Sequence, residues 1–506
     1  MLRDQSGYTE ALFSQAPSSK VAAASSWQSI RRFLLILALG ALVWALLLRF
    51  FFPGYLDPFV PFHIDHYIYL GDSGQGYGLG RYIRTYPRPL GNVLFDLLGR
   101  LGIRGMLVPV FLLTLVNAGL LITYLERLTH RAISFLAIGF FFVLVFGNPE
   151  SYASVKEDIL AVVCLFCMLV IFHLWQNYVI SGKAGNLAAA IILAILASYV
   201  KETYFAALVL FFVLQALFQR AKRKAAVAMA VVNAVIAAVS LAYNAHLATF
   251  INPHAGPRDP YYQDWHPLSI LHGLAHLLQW LIFPVPAILV IVSLVVLARA
   301  KRYRALVIAL VSLVFVIVIL LPNSLLRNHW EDQYAWLGAV FFFAPVLLAE
   351  SVLPRTRHAA AAAIAGIVVV SLLTLNEDRK DIRGMAGWLR GQEELQQNLI
   401  EALPTIKANA KSGEHELVLG LTLPFNPFRV PGFVRKYFGP NTAWTVVLPD
   451  EFPLRSDLTT EMVHRAGLNP APYDHVFVFT PEAHLTRIYG KQDAEALREC
   501  GDGSLP

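Results

Sequence analysis

The stretch RRFLLILALGALVWALLLRFFF, residues 31–52, decides how the rest of the chain is read. From Phe33 to Phe52 it is almost uniformly apolar, and about 20 such residues are what a helix needs to cross the hydrocarbon core of a bilayer. Arg31 and Arg32 precede it, which sets its start on the cytoplasmic side. The 30 residues before the span are polar and rich in Ser and Ala. They lack the short apolar core and cleavage site of a removed signal, so the span is expected to stay as a signal anchor.

The same pattern recurs along the chain. Of 506 residues, 57% are hydrophobic and 15% charged, with mean hydropathy +0.55. These values exclude an ordinary soluble globule and predict a polytopic membrane protein. About eleven spans satisfy the length criterion. They lie near 33–52, 105–125, 132–147, 157–180, 185–200, 203–219, 224–245, 278–298, 305–321, 334–350 and 358–375, the third and fifth being short. Basic residues fall in alternate loops: Arg31/Arg32, Arg127/Arg131, Lys183, Arg220–Lys224, Arg299–Arg304 and Arg355/Arg357. The net charge of +7 is largely this orientation signal. Its dispersal between spans excludes nucleic acid as the expected partner. Three cysteines make no disulfide framework. Cys164 and Cys167, one turn apart inside a span, read as small buried hydrophobes.

The fold class expected is therefore mainly α: a transmembrane helical bundle, residues 31–376, behind a cytoplasmic tail of residues 1–30. Residues 377–506 form a third region, beginning with a charged helical stretch. Short β-like runs follow, HELVLGLTL, AWTVVLP and YDHVFVFT, punctuated by Pro and Gly. That pattern predicts a small extracytoplasmic α/β domain.

Chemistry gathers in the loops opposite the basic ones, above all in 53–104. There DPFVPFHIDHYIYLGDSGQGYGLGRYIRTYPRPLGNVLFDLLGRLGIR, residues 57–104, collects acids, arginines, aromatics and glycines. Asp65, in HIDHY, is a carboxylate near the membrane surface among aromatics, where a raised pKa suits a general base. Asp57 and Asp72 sit in turn contexts. His63 and His66 bracket Asp65 without the further ligand that a metal site needs, and no metal or cofactor is expected. Arg84 and Arg88 lie in RTYPRPL, against the usual charge bias, and guanidinium suits bidentate contact with phosphate. Lys201 and Glu202, in SYVKETYF, sit at the outer end of a span, Glu202 being placed to fix the lysine. Lys156-Glu157-Asp158 is similarly placed. Later loops add His254, Arg258, Arg327 and His329. So many cations on one face predict an anionic ligand such as a lipid phosphate. His66, Tyr67, Tyr86, Trp265 and Trp330 are candidates for framing the pocket or stacking on sugar, although interfacial aromatics are common without function.

These patches resemble the GT-C superfamily of glycosyltransferases that use polyprenyl-phosphate sugars, and locally the TMTC-type O-mannosyltransferases and their bacterial relatives. TYPRPLGNVLF is similar to their Y-R-P-L stretch, through Arg88, Pro89 and Leu90. SYVKETYF is similar to their L-x-K-E segment, through Lys201 and Glu202. In NPESYASVKEDILAVVCLF, Asn148 stands where the family has His, and in HWEDQYAWLGAVFF Asp332 stands where Arg is expected. The resemblance implies a multi-pass protein of a bacterial inner membrane with a cytoplasmic N-terminus and a periplasmic C-terminal domain. It implies transfer of a sugar, with inversion, from a polyprenyl-phosphate donor to a hydroxyl of a glycan, lipid or protein acceptor. Asp65 would be the catalytic base. Arg88 and Lys201, then Arg84 and Arg327, would hold the donor phosphate. Two alternatives stay open from the residues: a transporter or flippase for a lipid-linked substrate, and a membrane-anchored binding or scaffold protein.

Overall fold

The computed structural model describes residues 24–47, 49, 70, 88–103, 105–146, 158–201, 204–251, 264–279, 284–325, 336–350, 394–411, 413–421, 426–439, 442–447, 472–480 and 482–492. These residues are mainly helical, with one small sheet. They fall into two compact units. One takes in the described residues of Met1–Phe52, Gly78–Asn92 and Val110–Ile382, the other those of Pro53–Tyr77, Val93–Pro109 and Arg383–Pro506.

The helices, in chain order, are α1 (Ala24–Leu46), α2 (Pro89–Gly99), α3 (Val108–Thr129), α4 (Phe135–Phe146), α5 (Ile159–Ser181), α6 (Ala184–Ser198), α7 (Phe205–Phe218), α8 (Arg223–Ile251), α9 (Pro267–Gln279), α10 (Pro284–Arg299), α11 (Tyr303–Ser324), α12 (Trp336–Phe342) and α13 (Ala344–Glu350). Five segments among the described residues are long and apolar enough to cross a membrane: Gln28–Leu46, Val108–Thr129, Ile159–Ser181, Arg220–Tyr243 and Tyr303–Ser324. Shorter apolar helices occupy Phe135–Phe146, Ala184–Ser198, Phe205–Phe218, Pro286–Arg299 and Gly338–Glu350. A helix therefore stands at each of the first ten expected spans, while the stretch 358–375 lies outside the described residues.

Local chemistry explains the boundaries. α8 runs past the expected 224–245 because neither Gly nor Pro interrupts it, and it stops before Asn252-Pro253. The break between α12 and α13 falls at Phe343, two residues before Pro345, which has no N–H for the helical ladder. α5 ends at Gly182, whose φ of 69° is left-handed and whose N–H bonds to the Tyr178 carbonyl. That turn sends α6 back along α5, so the start of α5 and the end of α6 share one end of the unit.

α3 and α5 are the most enclosed of the long helices, with 61% and 67% of their apolar windows buried against 11% for the first span. Phe172 of α5 stacks on Phe211 of α7 at 4.0 Å, and Tyr124 of α3 and Phe315 of α11 close on the Phe172 ring. Two buried polar contacts cross between helices here: Asn117 donates to the Val162 carbonyl at 2.9 Å, and Trp175 Nε1 to Gln215 Oε1 at 2.9 Å. Leu42, Val213, Val231, Val235, Ile288 and Ile317 face outward and exposed. An apolar outer face of this kind suits lipid rather than water. At the end opposite the α5 start, Arg32 does more than mark orientation: it pairs with Glu126, donates to the Ile133 carbonyl and lies over the Phe135 ring.

The second unit carries the sheet, with β1 (His415–Leu419), β2 (Ala443–Val447), β3 (His475–Phe479) and β4 (Leu485–Gly490) in the order β2-β1-β3-β4. β1 is parallel to β2 and β3, and β4 is antiparallel to β3. The first three coincide with the apolar runs seen in the sequence. β4 does not: its exposed and intermediate residues give no apolar run, as suits an edge strand. A helix over 394–409 buries Leu399, Leu403 and Ile406. The 3₁₀ turn Pro427–Arg429 and helix α14 (Pro431–Phe438) lie between β1 and β2 in sequence, and Phe428 stacks on Trp444 at 4.7 Å.

Candidate functional site

The α5-start end of the helical unit brings together three sequence patches far apart in the chain. Asp158 ends the first, caps α5, and accepts from the Ala161 amide at 3.2 Å through Oδ1. A carboxylate here answers both the free amides and the positive end of the helix dipole. Its Oδ2 receives Lys201 Nζ at 2.6 Å. The two side chains are only 7% and 11% exposed, so this is a buried, charge-assisted contact and not a surface pair.

Lys201 belongs to the second patch, just past α6. Cys164, from α5, donates its thiol toward the Lys201 carbonyl at 3.3 Å, which fixes the backbone beneath the lysine. The same patch supplies Tyr204, which is 2% exposed. Among the described residues its hydroxyl has no hydrogen-bond partner, and it sits in the field of Asp158 and Cys164. A buried phenol without a partner is costly, and a phosphate or sugar oxygen is the kind of acceptor that would satisfy it.

The third patch is Arg88-Pro89-Leu90-Gly91. The amides of Leu90 and Gly91 both donate to the Tyr199 carbonyl, at 3.0 and 3.3 Å. Pro89, at the first helical position, has no amide to leave unsatisfied. Gly91 is packed so closely that an added Cβ would stand 2.9 Å from Leu160 Cδ1 and 3.1 Å from the Val200 carbonyl. A side chain here would make the Leu160 side chain and the Val200 carbonyl give way. Arg88 itself has φ 58°, a left-handed conformation that costs an L side chain, and its carbonyl receives Asn92 Nδ2 at 3.2 Å.

Of the residues expected from the sequence, Arg88 and Lys201 thus come from segments bonded to each other. The carboxylate on Lys201, among the described residues, is Asp158; Glu202, expected in that role, lies outside them. Asp65, His66, Tyr67, Arg84, Tyr86, Arg327 and Trp330 also lie outside the described residues. Trp265 is described and is 68% exposed, beside a helix whose Leu268 and Leu271 are equally open. Its setting is that of an interfacial aromatic, not of an enclosed pocket. Cys164 and Cys167 are buried free thiols.

Sequence inspection named Asp158 only as the end of Lys156-Glu157-Asp158, without a partner, and did not single out Tyr204. The available signals were an acidic residue immediately before a long apolar run, which is a helix-start signature, and a tyrosine three residues past Lys201. Comparison with protein-family models and with curated proteins gave no match for this chain.

Proposed function

We propose that this protein is a polytopic membrane glycosyltransferase of GT-C type, with about eleven spans and its working face outside the cytoplasm. The reading is carried by one observation. The Arg88–Gly91 segment, rare in carrying an arginine on the expected outer side, is bonded to the segment that ends in Lys201, so two cationic residues share one end of the bundle. Asp158 pairs with Lys201 at 2.6 Å and holds it in place. Tyr204 adds an unsatisfied donor.

In this reading the donor is a polyprenyl-phosphate sugar. Asp65 takes the proton of the acceptor hydroxyl as its oxygen attacks the anomeric carbon. The bond from that carbon to the phosphate oxygen breaks, with its electron pair leaving on the lipid phosphate. The new glycosidic bond has inverted configuration. Arg88 and Lys201 stabilise the charge that develops on the leaving phosphate, with Arg84 and Arg327 in support. Positioned donors of this sort typically contribute about 10²–10³ in rate each.

The test uses full-length protein purified in detergent and a polyprenyl-phosphate sugar donor. Asp65→Asn is expected to abolish transfer while leaving donor binding intact, and Arg88→Ala to weaken donor binding. Near wild-type turnover by Asp65→Asn would remove it as the base. Unaltered donor affinity in Arg88→Ala would remove the phosphate role. A buried Lys–Asp pair at a helix end also suits an ion-coupled flippase. That second reading is favoured if proteoliposomes move a lipid-linked substrate and form no covalent product.

A further inference from the structure

The parallel pairing of β1 with β3 creates a second cluster, independent of the site above. Residue Glu416 lies directly opposite His475 in the register, and Glu414, two residues earlier, falls on the same side of the strand line. The cluster unites residues about 60 positions apart, so the linear sequence carries no metal-ligand spacing to reveal it.

Glu416 is 0% exposed, although it is a carboxylate in a sheet core beside Phe477 and Trp444. Among the described residues its Oε2 has no hydrogen-bond partner, while its Oε1 lies 3.4 Å from His475 Nδ1. His475 Nδ1 is 3.3 Å from that oxygen and 3.6 Å from Glu414 Oε2. One donor atom from each of the three residues lies within 4.8 Å of the others. A tetrahedral divalent ion with metal–ligand bonds of about 2.1 Å holds neighbouring donors about 3.4 Å apart. The two nitrogen–oxygen separations match that edge. Two outer contacts favour the same arrangement: the Lys411 amide donates to Glu414 Oε2 at 2.7 Å, and Asp474, next to His475, is tied to the His415 amide at 2.9 Å. Such contacts orient ligands before an ion arrives.

We propose that Glu414, Glu416 and His475 bind one divalent transition-metal ion, zinc or manganese in chemical class, that ties β1 to β3. Two carboxylates and one imidazole are a donor set suited to such ions, and they leave at least one coordination position for water or an anionic ligand. The ion supplies positive charge beside two neighbouring carboxylates, one fully buried, whose basic partner among the described ion pairs is His475. Without it the Glu416 carboxyl is pushed up to about 8, first by burial and then by the charges of Glu414 and Asp474.

The experiment uses full-length protein in detergent, stripped with a chelator and dialysed. Zn(II) is titrated by calorimetry with elemental analysis of the bound metal, and Co(II) is added separately for its visible spectrum. The wild type is expected to take up one equivalent more than Glu414→Gln and His475→Asn, and to show a tetrahedral Co(II) spectrum that both variants lose. Far-ultraviolet circular dichroism establishes that each variant keeps its fold. Glu414→Gln alters a partly exposed side chain, so it separates lost ligation from lost folding. Equal stoichiometry and equal spectra in wild type and both variants would overturn the proposal. So would a wild type that retains no metal above buffer level.

Discussion

Asp158 in the helical unit and Glu416 in the sheet are both buried carboxylates, and their surroundings answer them differently. Asp158 meets a lysine ammonium at 2.6 Å and a helix N-terminus, so its charge is matched twice. Glu416 meets a histidine, two further acids and apolar rings, and one of its oxygens is left without a hydrogen bond. Burial alone therefore says little about what an acid does. The partner decides whether the carboxylate serves as a fixed anion that positions a cation or as an unfinished ligand set.

The largest effect is expected at Lys201. Replacing it by Met leaves Asp158 buried beside no ammonium, which should destabilise the protein by about 3–5 kcal/mol. Adding Asp158→Asn, which keeps a cap on α5, should recover much of the loss. Thermal unfolding of the purified variants checks both. A single mutant that melts like the wild type would mean that the pair does not hold this end together.

Next comes the pH response of Glu416 in chelator-treated protein. An acid whose folded pKa lies near 8, against an ordinary 4.5, binds its proton more tightly when folded. It imposes no penalty below the unfolded pKa. Stability then falls as pH rises from about 5 to about 8, and the penalty is complete above that, reaching about 2–4 kcal/mol. Glu416→Gln should flatten this slope and be the more stable protein at pH 8.5. A melting series at several pH values distinguishes the two, and parallel curves would show that Glu416 does not titrate in this window.

The smallest effect on stability is expected at Arg88. Arg88→Gly relieves a left-handed backbone at the loss of a side chain, so stability should change by about 1 kcal/mol or less, in the favourable direction. Sugar transfer should nonetheless collapse. A variant that is both unstable and inactive would assign Arg88 to structure and not to the ligand.

Much of this was legible in the chain. Hydropathy is a sum over neighbours, so the helices at the first ten expected spans could be read directly, as could β1, β2 and β3 from their apolar runs, whereas α2 and α9 fall in stretches read as loops. The same holds for Arg88 and Lys201, whose residue types conflict with their expected side of the membrane. β4 was not legible, because an edge strand with one buried residue has no apolar run to mark it.

What the tertiary structure alone decided is which charges meet. Asp158 and Lys201 are 43 residues apart and face each other only because Gly182 turns α5 back into α6. Glu416 and His475 are opposite each other only because β3 pairs with β1 in parallel at that register. Composition and periodicity fix local conformation through interactions between near neighbours. The partner of a buried charge depends on a register between distant segments, set by the packing of many apolar residues together.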